Sequence, residues 1–224
     1  MNDEEFQALQ LKAICPSADQ WPSEYMHQKT LVAAAKEART LWSDATAKLD
    51  AVDANRDLSA EGKQRQKVKL ATDILAQIAA SNTPERVRKV VAEVLQKYEQ
   101  KISANLKAAT DAQQVAVHAQ IRDRLYAMAD AKERMSFLEK HGSDITLISA
   151  VLTAPSYLSG LGDSEYAFAR SQLEKLAPPE VITARDQTQK MLAKVELGWR
   201  TIRARIAKRG GLESRDDVGG SVAA

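Results

Sequence analysis

A single cysteine, Cys15, three histidines, six prolines, nine glycines and eleven aromatic residues are spread over 224 positions, and each scarcity excludes something. One cysteine forbids an internal disulfide and suits a reducing compartment. His27, His118 and His141 stand on separate stretches with no second His or Cys at ligand spacing, so no metal site is expected. Asn-Gly and Asp-Gly pairs are missing, as is any period-two alternation, which removes the usual hairpin signals. No glycine-rich loop follows a strand, so nucleotide cradles of that type are not expected. No apolar run approaches the roughly 18 residues of a membrane span; the longest stretches are short, such as Leu31 to Ala35. The opening Met1-Asn2-Asp3-Glu4-Glu5 is acidic, where a secretory leader would be basic and then apolar. No Ser/His/Asp grouping with a local signature is present. The expectation is a non-enzymatic chain with no cofactor, no metal and no membrane span.

What the chain has in quantity is alanine, 37 residues, within a composition that is 44% apolar and 28% charged at a formal net charge of +2. That apolar content with so little net charge argues against disorder. Between Gly62 and Gly142 there is no glycine and only one proline, Pro84. Breaker-free stretches rich in Ala, Leu, Lys, Gln, Glu and Arg favour helix. The fold class read from this is all-α: long antiparallel, coiled-coil-like helices, then a compact module of short helices and a final long helix.

Residues 1–22 form a lead-in that Pro16 and Pro22 break, with Trp21 tucked against the next segment of the chain. The region 23–110 is coiled-coil-like. Its first helix, from a Ser23 cap to about Val52, carries Leu31, Ala35, Ala38, Trp42, Ala45, Leu49 and Val52 at spacings of 4 and 3. The mean of 3.5 is the period of a narrow seam, which needs a partner rod. Ser59 caps a second helix to Ala80. Thr83 with Pro84 opens a third, expected to break near Asp111, where Thr110 and Gln113 have capping-box spacing. The module 111–177 holds shorter helices opened by Asp130, Asp144 and Asp163. A helix at 178–209 repeats the heptad spacing through Val181, Arg185, Thr188, Leu192, Val195, Trp199, Ile202 and Ile206, with its apolar grip in Leu192 to Ile206. Gly210-Gly211 ends it, and 210–224 reads as a flexible tail.

Charge alternates along the chain. Residues 1–62 carry a net −5, 63–110 a net +6, 111–180 a net −3 and 181–209 a net +6. An antiparallel hairpin of the first helix against the second and third would match these signs, and so would contact between chains. Two groups of residues stand out as candidate surfaces. Leu31, Trp42 and Leu49 on the first seam, with Tyr157, Leu158 and Leu161 in the irregular stretch Ala154–Gly162, form a candidate partner interface. Arg200, Arg203, Arg205, Lys208 and Arg209 form a basic run free of acids that could bind nucleic acid. The same positive charge also suits a helix C-terminus.

The stretch Ile121-Arg122-Asp123-Arg124-Leu125, Lys132-Glu133-Arg134-Met135, His141-Gly142-Ser143-Asp144, Ala150-Val151-Leu152-Thr153-Ala154-Pro155 and Leu158-Ser159-Gly160-Leu161 resembles uncharacterised helical proteins encoded among bacteriophage and prophage structural genes. Asn55 to Gly62 has a similar character. The resemblance covers about a quarter of the chain, mainly residues 121–168. It implies a virion structural or assembly protein of a tailed phage, used in many copies, with itself and other virion proteins as partners. Its location would be the virion or the bacterial host cytoplasm. The alternatives are a nucleic-acid-associated protein that meets DNA through the basic C-terminal helix, and a cytoplasmic bacterial adaptor. The resemblance carries no functional residues across.

Overall fold

The computed structural model describes residues 26–212, and every described element is helical. The expectations for the lead-in, Trp21, the Ser23 cap and the tail beyond 212 lie outside the described residues. In chain order the helices are α1 (Met26–Ala54), α2 (Ala60–Ser81), α3 (Thr83–Ser103), α4 (Ala112–Ala127), α5 (Ala131–His141), α6 (Ile145–Leu152), a single 3-10 turn (Ser156–Leu158), α7 (Asp163–Leu176) and α8 (Pro179–Arg209). The chain divides into two compact units. Unit 1 runs to Val94 and resumes at Thr188; unit 2 is Leu95–Gln187. The divisions fall inside α3 and α8, whereas the sequence pattern puts them at 110/111 and 177/178.

Local chemistry starts most of these helices. Ser59 accepts from Gly62 N–H at 3.1 Å, Asp111 from Gln114 N–H at 2.8 Å, Asp130 from Lys132 N–H at 3.0 Å and Asp144 from Thr146 N–H at 2.8 Å. Each satisfies a first-turn donor that has no intrahelical acceptor. Three starts are shifted by one residue from the positions that spacing predicts. Asn82, at φ 50°, ends α2 and its carbonyl accepts the first bond of α3. Thr83 is therefore helical and buried, and its hydroxyl donates to Glu37 of α1 at 2.9 Å. α3 ends at Ser103, short of the break expected near Asp111; Asp111 is instead the cap of α4, and Gln114 reaches back to Thr110 N–H at 3.0 Å. Asp163 is the first residue of α7, preceded by Gly162 as its cap.

In unit 1 the seam of α1 is dry. Leu31, Ala34, Ala35, Ala38, Ala45 and Leu49 are all buried. The expected companion rod is supplied by the chain itself. Asp53 near the end of α1 meets Lys67 of α2 at 2.9 Å, and Glu37 in its first half meets the start of α3, so α1 and α2 run antiparallel. α8 joins this group through contacts with both α1 and α2. Arg209 pairs with Asp50, Arg205 lies over the Trp42 ring at 6.0 Å, and Arg88 of α3 bonds Glu196 at 2.9 Å. Val195, Trp199, Ile202 and Ile206 are buried here with Ala71, Ile74, Ile78, Val87 and Val91. α8 closes in a Schellman turn: Leu212 N–H reaches Ala207 at 3.0 Å, and Gly211 N–H, at φ 68°, reaches Lys208 at 3.1 Å.

Unit 2 is built around α6, the shortest and most apolar helix. Leu147, Ile148, Ser149, Ala150 and Val151 are buried, flanked by α4 and α7. Ile102, Leu125, Leu138, Leu161, Ala169 and Leu173 complete the core. Ser149, fully buried, accepts Lys107 N–H at 2.9 Å and so pins the segment between α3 and α4.

Close approach makes unit 1 sensitive to added volume. A Cβ at Gly210 would collide with that of Ala71 and lie 3.4 Å from the Lys67 carbonyl. Gly210→Ala is expected to lower stability by about 1–3 kcal/mol in urea unfolding, and Ala71→Gly in the same chain should restore part of it. An unchanged midpoint would show that the two helices are not in contact there.

Candidate functional site

Unit 2 contains two ionic clusters, both made by its own helices. Glu165 at the start of α7 is buried; it accepts Arg134 Nε–H at 2.8 Å and Gly162 N–H at 2.5 Å. Arg134 also donates to the Met128 carbonyl at 2.5 Å, tying the end of α4 to α5 and α7. The second cluster centres on Arg185, a buried position of the expected α8 seam. It holds Glu174 through two bonds, 2.5 and 3.1 Å, bonds Asp186 at 2.9 Å, and approaches Glu99 at 3.5 Å, which also pairs with Arg170. The guanidinium bonded to Glu174 holds that carboxyl below the usual carboxylate range, against the opposing effect of its burial. The same bond makes Arg185 still harder to deprotonate. Every acid in these clusters is matched to a cation, an arrangement that ties the helices of unit 2 together. Among the described residues no group of three or more His, Cys, Asp or Glu could hold a metal ion, and no helix is long and apolar enough to cross a membrane.

The candidate partner residues separate. Leu31 and Leu49 are sealed inside unit 1, Trp42 is half-buried, and Leu161 belongs to the core of unit 2. Leu31, Leu49 and Leu161 are thus covered by the chain's own helices, while Trp42 stays partly open. Tyr157 and Leu158 stay in solvent, at 71% and 44% exposure. Beside them stands Tyr126, 67% exposed at the end of α4. Sequence pattern alone misses it, since it sits one position past the buried Leu125 and outside the apolar stripe. The 3-10 turn packs against α4. Gly160, at φ 65°, runs so near the Tyr126 ring that an added Cβ would lie 3.2 Å from it. Two tyrosines and a leucine are therefore exposed on neighbouring elements; Val115, Val117, Leu176 and Leu197 are the other large apolar side chains exposed among the described residues.

The basic run also divides. Arg209 is committed to Asp50 and Arg205 is half-buried over Trp42, both facing α1. Arg200, Arg203 and Lys208 are exposed or half-exposed, as are Lys190 and Lys194 further back on α8. Over the described residues unit 1 carries nineteen basic against ten acidic side chains, and unit 2 eleven against twelve. The charge imbalance therefore resides in unit 1.

These features define an all-α chain in which the partly buried acids of unit 2 are paired with cations and Tyr126, Tyr157 and Leu158 are among the exposed large side chains. In comparisons with known proteins the chain matches no family model, no curated protein and no solved structure.

The Glu174 pairing has a pH signature. A carboxyl depressed in the folded state adds stability above its unfolded pKa, about 4.3, and loses it as pH falls through the lower folded value. Glu174→Gln should therefore cost about 1 kcal/mol at pH 7, and the gap from the parent chain should close below about pH 4, as read by urea unfolding across that range. Breaking the more deeply buried pair by Arg134→Met should cost more, about 3–5 kcal/mol.

Proposed function

We propose that this chain is a non-enzymatic structural or assembly protein that works through protein–protein contacts, of the bacteriophage virion kind that residues 121–168 resemble. The observation that carries the reading is the Tyr126, Tyr157 and Leu158 surface of unit 2. Tyrosine is enriched where one protein docks on another, because it offers a large area at a small entropic cost. Interior seams that would otherwise call for a second copy along α1 are already filled by α2, α3 and α8. Multi-copy assembly in a virion, or in the host cytoplasm before it, is therefore routed through this surface and not through a coiled coil between chains. An adaptor acting on a bacterial partner would use the same face without joining a particle.

A second reading draws on a separate observation, the excess of cations in described unit 1 and the outward-facing Arg200, Arg203 and Lys208. On that reading α8 lies against a nucleic-acid backbone.

Two variants separate these readings. Tyr126→Ser, Tyr157→Ser and Leu158→Ser combined should abolish co-sedimentation with particles from phage-producing cells while helicity by circular dichroism is retained. Arg200→Gln, Arg203→Gln and Lys208→Gln combined should leave co-sedimentation intact. The reverse pattern, with DNA affinity in the parent chain falling by a log–log salt slope of about 0.9 per phosphate contact, would establish the nucleic-acid reading instead.

A further inference from the structure

We propose that the segment before α1, residues 1–25, seats on its own chain in a groove between the first half of α1 and the first turns of α3. The groove, of about 480 Å³, has an apolar floor of Ala33, Ala34, Val87 and Val90. Lys29 of α1 and Arg86 of α3 stand on its walls, together with Glu37. Glu37 accepts the Thr83 hydroxyl at 2.9 Å, which commits its carboxylate within the chain. Lys29 and Arg86 are exposed, and no carboxylate among the described residues pairs with either. The Arg86 guanidinium makes only a long bond, 3.4 Å, to the Thr83 hydroxyl. The groove is thus an apolar bed between two open cations.

Charge and position select the occupant. Over the described residues unit 1 carries nineteen basic against ten acidic side chains. Residues 1–25 carry the opposite excess: Asp3, Glu4, Glu5, Asp19 and Glu24 against Lys12 alone. The acids at 3–5 run directly into the apolar residues Phe6, Leu9, Leu11 and Ile14. That order matches cations set beside an apolar bed, and complementary charge favours this pairing over others. The connection is short. α1 begins at Met26, three residues before Lys29. The chain from Ile14 to Met26 spans up to about 40 Å when extended, whereas Lys29 to Glu37 covers only about 12 Å of helix. Tethering of this kind raises the effective concentration of the segment at the groove above that of a separate partner. Gln28, at the start of α1, is 4% exposed with its Oε1 unbonded, a buried acceptor that calls for a donor where the segment enters. None of this rests on the contact role proposed for unit 2.

Cys15 is the single cysteine of the chain, so a nitroxide attached to it reports where the segment lies without any substitution. In the full isotope-labelled chain, the amide NMR signals of Val87 and Val90 are expected to fall at least twofold against the same sample with its nitroxide reduced. Lys29→Glu with Arg86→Glu should restore those signals. Adding Asp3→Lys, Glu4→Lys and Glu5→Lys to that variant should bring the loss back. Signals undiminished in the parent chain would overturn the seat, as would a loss that the two groove substitutions leave unchanged. A mixture of nitroxide-bearing chain without isotope and isotope-labelled chain without nitroxide should show no loss. A loss there as large as in the parent sample would overturn the intrachain seat and assign the groove to the segment of a second copy. Should the groove variant lose helicity by circular dichroism, Asp3→Lys, Glu4→Lys and Glu5→Lys alone, which leave residues 26–212 unaltered, carry the comparison: they should restore the signals, and a loss unmoved by them would overturn the seat.

Discussion

The packing of small side chains against one another is the constraint on which unit 1 depends. α1 places Ala34, Ala35, Ala38 and Ala45 inward, and an alanine buries too little apolar area to hold a long helix by itself. What it permits is close backbone approach, so that the neighbouring helices make many weak contacts along a narrow line. α2 and α8 use the same device where Gly210 meets Ala71. The larger residues, Leu31, Leu49, Trp199, Ile202 and Ile206, then fill the space that the close approach leaves open. A seam of this kind reads from sequence as one half of a coiled coil. It is closed instead by three other helical segments of the same chain, because α1 and α2 are joined by a short turn and α8 returns to them after unit 2.

The local or distant origin of each contact decides which parts of the fold can be read from the residues. Helix starts are legible because capping is local: Ser59, Asp111, Asp130 and Asp144 each act within three residues of their own position. The one-residue displacements at Thr83 and Asp163 have a tertiary or backbone origin that local spacing does not encode. Thr83 is drawn to Glu37, forty-six residues away, and Glu165 turns back on the Gly162 amide while bonding Arg134. The seam period is also legible, but the identity of its partner is not. A 3.5-residue repeat states that a rod must lie alongside, and carries no record of which rod.

The candidate surfaces show the same limit. A basic run is a property of sequence, whereas a basic face is a property of rotation about the helix axis at roughly 100° per residue. Arg205 and Arg209, four apart, turn toward Trp42 and Asp50 of α1, while Arg200, Arg203 and Lys208 turn outward. Five cations in a row therefore divide between intrachain binding and solvent. His118 is conspicuous in sequence only as a lone imidazole without a metal partner.

The aromatic surface of unit 2 carries a further argument about design. Single apolar side chains in solvent are ordinary, and a group of them on neighbouring elements is the more informative feature. Here the backbone is arranged around one of them. Gly160 adopts φ 65°, a conformation that strains any residue with a Cβ, and its missing side chain is what lets the loop run past the Tyr126 ring. Meanwhile Leu161, next in sequence, is turned into the core and anchors that loop from within. The segment thus holds one leucine down and keeps Tyr157 and Leu158 up beside Tyr126. An irregular stretch whose only task was to join α6 to α7 would need neither a left-handed glycine nor an exposed Tyr157 and Leu158. Both follow at once if the loop exists to present a contact surface on a rigid helical base.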